Sequence, residues 1–535
     1  MPGELTPLEE DLLAALDDDE LARHRERLTT LRAQAAIGRD RTPAYFRAVA
    51  GGWGLPLTLH RFEAAVGVPR AVRFSLARRD APVEAIALPG SAATPPGGLT
   101  ADLRVASDGD GVGDDLAGSV ALVDGAPTPA GVARLAARGA RGVVYISPDE
   151  APRAMGVAGP SGEAAAPAVA IGRAAGEGFL ALCAAGPTPV TLEARVEWQS
   201  RRLVLPVATI PGAVAAEGFV LVGAALGGAD GFAGAAGLFE LARALLLHAP
   251  RLRRGLRLAW WPDGATPDAA PHWYAGHAWA ELAEGALAYV DVAVPAPDAA
   301  TPGAALPLRW LAESACAEGG AARVAWGGTM PAGAAAAFAG AGLPALTLAA
   351  PPATPAPAAP ARAIGLYAVT LARLCAYPLA PFDLPGTARA LERRLEEARG
   401  HAGDADLAPL VARAAAFRAA AERLHLAALH VAQADATNYE EALERTNRAL
   451  RRLNQTLVPL LHRAGDRYAP APPTPALLPG LEGALALAAD AADMAGAHRG
   501  RAAVTRERNR LADALAAATA TIDDLLADLL ALGIG

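Results

Sequence analysis

The sequence predicts an α/β protein: a mostly parallel sheet flanked by helices, with an inserted second α/β unit and a helical C-terminal region. Three observations carry that prediction. Short apolar runs alternate with helix-like segments between residues 96 and 384. Several of those runs are continuously apolar, as in strands buried on both faces. After Pro385 the periodicity is helical almost to the end. At 535 residues the chain is about three to four times the usual domain length, so several packed units are expected. The boundaries read as 1–95 for an N-terminal helix and the first part of the principal unit, 96–200 for the insertion, 201–384 for the rest of the principal unit, and 385–535 for the helical region.

Thr6-Pro7-Leu8-Glu9 is a helix start, with Thr6 as cap, Pro7 in the first turn and Glu9 completing a capping box, and one helix is expected to about Ala36. From Tyr45 to Leu88 the sequence turns β-like, with Leu55, Leu57 and Leu59 alternating, then Arg70–Phe74 and Val83–Leu88. His60 is expected at the surface. Gly90–Gly98 is a boundary rich in Pro and Gly. The insertion follows as strands at Ala101–Val105 and Gly118–Gly125, a helix from Thr128-Pro129 to Arg138, and strands at Gly142–Ile146 and Pro167–Ile171. The principal unit reopens at Leu203, with strands at Val207–Gly212, Phe219–Gly223, Gly255–Trp261, Tyr289–Ala293 and Ala345–Leu348. The glycine-rich stretch Gly227–Gly237 reads as a turn leading into a helix from Leu238 to His248. In the tail, Leu443, Leu450, Leu453, Leu457 and Leu460 form one stripe, with Glu441–Arg445 and Glu444–Arg448 as i,i+4 pairs outside it. Leu511, Leu515, Ala518, Ile522, Leu525 and Leu529 form a second stripe, and Pro470–Pro479 separates the two helices.

Composition excludes several classes. The chain is 53% hydrophobic and 19% charged with a formal charge of −8, which rules out wholesale disorder. It contains no lysine and its arginines are dispersed, so no nucleic-acid partner is expected. Cys183, Cys316 and Cys375 are too few and too far apart for a disulfide framework or a CxxC site and read as buried thiols. Met1–Asp19 is acidic and lacks the basic and apolar regions of a secretory signal, so a cytoplasmic location is expected. Val324–Ala361 is uncharged, but its glycines and prolines break any membrane-spanning helix, and no membrane span is expected.

The order of these segments resembles the transferrin-receptor and glutamate-carboxypeptidase-like branch of the zinc aminopeptidases. That branch inserts a protease-associated domain into a peptidase sheet and ends in a helical dimerisation domain. Gly118–Gly125, Ala136–Val144 and Pro167–Ile171 look like the protease-associated pattern. Ile210-Pro211-Gly212, Val220–Ala224 and Gly237–Arg243 look like the peptidase strand and helix, Gly342-Leu343-Pro344-Ala345 like a late strand entry, and Asn454 with Leu457–Leu460 like the start of the tail. The resemblance implies a peptidase-like sheet, a site for two zinc ions and a homodimer paired through the C-terminal helices. The zinc site would comprise a bridging aspartate, two histidines, two further carboxylates and a glutamate as general base.

Most of those ligands are missing. Where a His-x-Asp should follow Gly223-Ala224 stands Ala225-Leu226-Gly227, and where two glutamates should follow Trp260-Trp261 stands Pro262-Asp263-Gly264-Ala265. Ala293 occupies the next aspartate's position, and no histidine follows Ala345–Leu348 until His401. Asp230 alone falls at the bridging position, and a lone carboxylate does not hold a dinuclear centre, so it reads as a turn or capping residue. No catalytic, cofactor-binding or metal residue is therefore assigned. A degenerate cleft is expected around Asp263, Trp260, Trp261, His272 and His277, with the tryptophans read as core filling. No Gly-x-Ser-x-Gly elbow and no Walker A motif occurs. The reading is a pseudopeptidase that binds a peptide or protein ligand or serves assembly, without a cofactor. The alternative is a divergent zinc-dependent hydrolase with relocated ligands drawn from Asp230, Asp263, His272 and His277.

Overall fold

In the computed structural model the described residues are 5–36, 39–77, 82–107, 116–125, 127–152, 157, 163–214, 217–227, 232–262, 269–293, 303–318, 330–331, 333–348, 360–401, 406–432, 438–468, 476–489 and 494–534. They form a mixed α/β structure with a central sheet flanked by helices and a helical C-terminal region, as the sequence predicts.

The N-terminal segment departs from expectation. Instead of one helix to Ala36 there are two, α1 (Pro7–Ala15) and α2 (Asp18–Ala36), separated by Leu16 in an extended conformation. The capping box is present: Thr6 accepts from the Glu9 amide at 3.3 Å, and Glu9 accepts from the Thr6 amide at 2.7 Å. A third helix, α3 (Thr42–Trp53), occupies sequence expected to begin the β region. Pro43 lies in its first turn, and Gly54 ends it at φ 67°.

The expected strand pieces after it are one strand, β1 (Leu57–Leu76), paired antiparallel with β7 (Thr188–Ile210) from Leu57 opposite Ala208 to Leu76 opposite Val190. A register irregularity between Pro69 and Ala71 accommodates the proline, which has no amide proton to donate to the ladder. Between β1 and β7 come β2 (Ala85–Ala87), β3 (Leu99–Val105), β4 (Val120–Asp124), α4 (Pro129–Ala137), β5 (Gly142–Ile146), β6 (Ala168–Ile171) and α5 (Arg173–Ala185). Strands β3 to β6 are parallel in sequence order, and the antiparallel β2 closes that edge. Apolar side chains fill both faces, with Phe179 of α5 on one and Val132 and Leu135 of α4 on the other.

On the other side of β7 lie β8 (Phe219–Leu226), β9 (Gly255–Pro262), β10 (Ala286–Asp291), β11 (Gly303–Ala304) and β12 (Ala345–Thr347), in the order β9-β8-β10-β12-β11. Strands β8, β9, β10 and β12 are parallel to one another. Among the described residues the two parallel blocks are thus one twelve-stranded sheet, joined through β7, which pairs with β3 near one end and β9 near the other. Helices α6 (Ala233–Leu247) and α11 (Pro360–Ala376) cover one face of the second block; α7 (Ala269–His277), α8 (Trp279–Gly285) and α10 (Ala334–Ala339) cover the other. Helix α9 (Arg309–Glu318) packs on α11 through Leu311 and Ala312.

Helix α6 begins at Ala233, not Leu238, so Gly234 and Gly237 are helical rather than part of the turn. A Cβ on Gly237 would lie 2.3 Å from Ile364 Cδ1, which shows how closely α6 and α11 approach there. The C-terminal region comprises α12 (Leu384–His401), α13 (Ala408–Val431), α14 (Tyr439–His462), α15 (Pro479–Ala489) and α16 (Met494–Ala531). Helix α15 begins where the separating segment Pro470–Pro479 ends and is an additional element between the two expected helices. Leu443, Leu450, Leu453 and Leu457 are buried, Leu460 is half-buried, and all six residues of the second stripe are buried. Cys316 and Cys375 are buried and Cys183 is half-buried; burial pushes the Cys316 thiol up to about 11 and the Cys375 thiol up to about 12. No described helix is long and apolar enough to cross a membrane.

Candidate functional site

Because β8, β9, β10 and β12 run the same way, their C-terminal ends open onto one edge, where open α/β sheets place ligands. The segments that follow these strands, 228–231, 263–268, 294–302 and 349–359, lie outside the described residues, and Asp230 and Asp263 lie with them.

The two tryptophans at the end of β9 point to opposite faces, as successive strand residues must. Trp260 is buried on the α6 face, where its Nε1 donates to the Ala235 carbonyl at 3.1 Å and its ring packs on Phe239 and Phe46. Trp261 is buried on the opposite face among Tyr274, Tyr289 and Phe338. Its Nε1 donates to the Tyr289 hydroxyl at 3.0 Å, and that hydroxyl donates to Asp291 Oδ1 at 2.6 Å. Tyr289 and Asp291 stand two apart on β10 and so share a face. The chain of bonds depends on Gly223 of β8, because a Cβ there would lie 2.2 Å from Trp261 Nε1 and 2.5 Å from the Tyr289 hydroxyl. Trp261 and Tyr289 thus fill the space above Gly223, and the half-buried Asp291 is held by a phenol.

A second tyrosine fastens the same edge from α11. The fully buried Tyr367 hydroxyl accepts the amide protons of Ala293, just past β10, at 3.1 Å and of Leu348, just past β12, at 2.9 Å. Burial raises its pKa far above the ordinary phenol value, so it remains a neutral hydroxyl. The Val292 amide donates to the Gly223 carbonyl at 2.7 Å, which ties β8 to β10 at the same level.

No protein-family model matches the sequence, and no curated relative matches it. The fold is similar to solved structures at low identity. An aminopeptidase from Aneurinibacillus sp. strain AM-1 is 17% identical with a TM-score of 0.47, over 70% of this chain and 97% of that one. A peptidase M28 precursor from Shewanella amazonensis SB2B is 17% identical with a TM-score of 0.45, over 66% and 97% respectively. A zinc aminopeptidase from Bacillus subtilis is 16% identical with a TM-score of 0.45, over 70% and 96%.

The two candidate histidines both sit on α7, five residues apart and therefore about 140° apart around the helix. His272 is half-buried. His277 is exposed, stacked on Trp273 with centroids 4.5 Å apart, and its ring centroid lies 5.5 Å from that of His60. His60 is half-buried against Trp273 and Tyr274 rather than at the surface, because Phe62 and His60 on β1 lie beneath α7. Burial lowers the His60 pKa first, and His277 lowers it further. The structure therefore sets His277 beside a histidine from a distant strand, a pairing no spacing rule in the sequence signals.

Among the described residues no group of three or more His, Cys, Asp and Glu is placed to hold a metal ion. At the strand edge those residues offer one carboxylate, Asp291, already taken up by Tyr289, so they do not by themselves fit a two-zinc centre. The phenol chain was missed in the sequence, although the i,i+2 spacing of Tyr289 and Asp291 at a strand's C-terminal end is a usable signal.

Proposed function

We propose that this chain is a zinc-aminopeptidase-like protein without peptidase chemistry, and that it serves as a cytoplasmic scaffold for binding a peptide or protein, or for assembly. The observation that carries this reading is the filled strand edge: Trp261 and Tyr289 occupy the space over Gly223 and hold Asp291 in a hydrogen bond. The sequence adds to it, with Pro262-Asp263 where a glutamate pair would stand and Ala293 where a carboxylate would. The inserted unit then corresponds to residues 96–200 and the pairing region to 385–535.

The test measures metal content by mass spectrometry and hydrolysis of aminoacyl-anilides with and without chelator. Zinc well below one equivalent and no chelator-sensitive turnover are expected. Near-stoichiometric zinc with chelator-sensitive turnover would establish instead a divergent hydrolase with ligands such as Asp230, Asp263, His272 and His277.

A further inference from the structure

On its α7 face, the second block carries a stack of rings drawn from a strand and a helix. Phe62 of β1 stacks on Trp273 of α7 with centroids 4.6 Å apart, and Trp273 stacks on His277 at 4.5 Å. His60 and Phe62 stand two apart on β1 and so share a face. The His60 centroid lies 5.5 Å from that of His277 and 5.8 Å from that of Trp273. Nearly equidistant from two stacked rings, His60 lies beside the stack, against ring edges; a place over the open face of His277 would set it much farther from Trp273. The edge of an imidazole is where its nitrogens are.

This separation suits a shared ion. A divalent metal bound by one nitrogen of each ring at about 2.1 Å stands about 3.2 Å from each centroid, so a tetrahedral angle sets the centroids about 5.2 Å apart. The observed 5.5 Å is closed by a small turn of His277, which is exposed. Each neutral imidazole has one lone pair, and its proton can sit on the other nitrogen, so the pair can ligate in either tautomer. Burial first, then His277, lower the His60 pKa, which keeps that ring neutral at pH 7. Arg257 of β9 lowers it as well, but Arg257 pairs with Glu281 of α8, whose charge acts the opposite way.

We propose that His60 and His277 form a two-nitrogen chelate for a divalent transition-metal ion, with water in its remaining positions. The ion fastens α7 to β1. The site uses none of Asp230, Asp263 and Asp291, so it stands whether or not the strand edge has peptidase chemistry.

The tag-free full chain, stripped with chelator and dialysed, is titrated by calorimetry at pH 7.5 with Ni²⁺, Cu²⁺ and Mg²⁺. Saturable Ni²⁺ binding and tighter Cu²⁺ binding are expected, with none of Mg²⁺, because imidazole suits the late first-row ions and not hard cations. His277→Ala, at an exposed position, and His60→Phe, which keeps a ring beneath α7, should each weaken Ni²⁺ by at least about tenfold, since one imidazole is left. His272→Ala, about 140° around α7, should leave it unchanged. Electron spin resonance of the Cu²⁺ complex should show two nitrogen ligands in the wild type and fewer in either of the first two variants. Far-UV circular dichroism confirms that each variant is folded. Absence of saturable Ni²⁺ binding, binding unchanged in His60→Phe or His277→Ala, or an equal loss in His272→Ala overturns the proposal.

Discussion

His462, at the end of α14, is fully buried, and among the described residues neither of its ring nitrogens has a hydrogen-bond partner. Burial lowers it from 6.5 to about 3, so it is neutral in the folded protein. The unfolded chain binds a proton there that the folded chain does not, so this contribution is complete above pH 6.5 and is lost as pH falls from 6.5 towards 3. At pH 5 the loss from this residue is about 2 kcal/mol. Replacing it by leucine, similar in bulk and uncharged, should flatten the acid limb of stability in urea melts at pH 7.5, 6 and 5. A variant that keeps the full wild-type loss between pH 7.5 and 5 contradicts this account. None of this is visible in Leu461-His462-Arg463, because burial of a ring at a helix end is set by what packs over it. The opposite holds for Trp260 and Trp261: adjacent aromatics in an apolar strand end must face opposite ways, and both were expected in the core.

Helix breaks and strand lengths follow the same division. The break after Ala15 is made by α6, not by local sequence alone. Glu240 accepts the Asp17 amide at 2.7 Å, and Arg243 donates to the Ala15 carbonyl and pairs with Glu240 at 2.5 Å. Asp17 then caps α2 by accepting from the Asp19 amide at 2.8 Å. At the other end of the core, Arg254 is fully buried just before β9 and closes the end of α11. It donates to the carbonyls of Leu374 at 3.1 Å, Tyr377 at 2.6 Å and Pro378 at 2.7 Å, and lies 2.9 Å from Glu217. Arg253 carries the network to Glu217 at 2.6 Å and on to Glu440 of α14 at 2.7 Å. Arg254→Met should cost about 3–5 kcal/mol, because it leaves a buried carboxylate and three helix-end carbonyls without that partner. Chemical denaturation measures it; a loss under about 1 kcal/mol would show that water supplies the missing bonds.

The molecule's largest core is continuous from α1, α2 and α3 through the face of β8, β9 and β10 to α16, so the helical tail is packed onto the sheet. Within the tail α13 and α16 run in the same direction, since Arg413 reaches the Ala512 carbonyl and Arg423 pairs with Asp523. Their C-terminal ends carry exposed Leu426, Leu429 and Leu530. That apolar end supports the proposed pairing of two copies through the C-terminal helices. Light scattering of the wild type should give twice the monomer mass, and Leu426→Glu, Leu429→Glu and Leu530→Glu together should give the monomer. A wild-type monomer at micromolar concentration sinks the pairing.

Most strand runs of the two parallel blocks, the two apolar stripes of the tail and the i,i+4 pairs of α14 were determined by the sequence alone. Those features rest on the two periods that burial imposes, 2 for strands and 3.6 for helices, and on contacts a few residues apart. Glu441 with Arg445 at 2.6 Å, and Glu444 with Arg448, need nothing beyond one helix turn. Only the tertiary structure decided that β1 and β7 are long partners welding two parallel blocks into one sheet, that His60 meets His277, and that Trp261, Tyr289 and Asp291 close over Gly223. Each of these joins segments tens to more than two hundred residues apart, and no local periodicity records which distant surface will supply the partner.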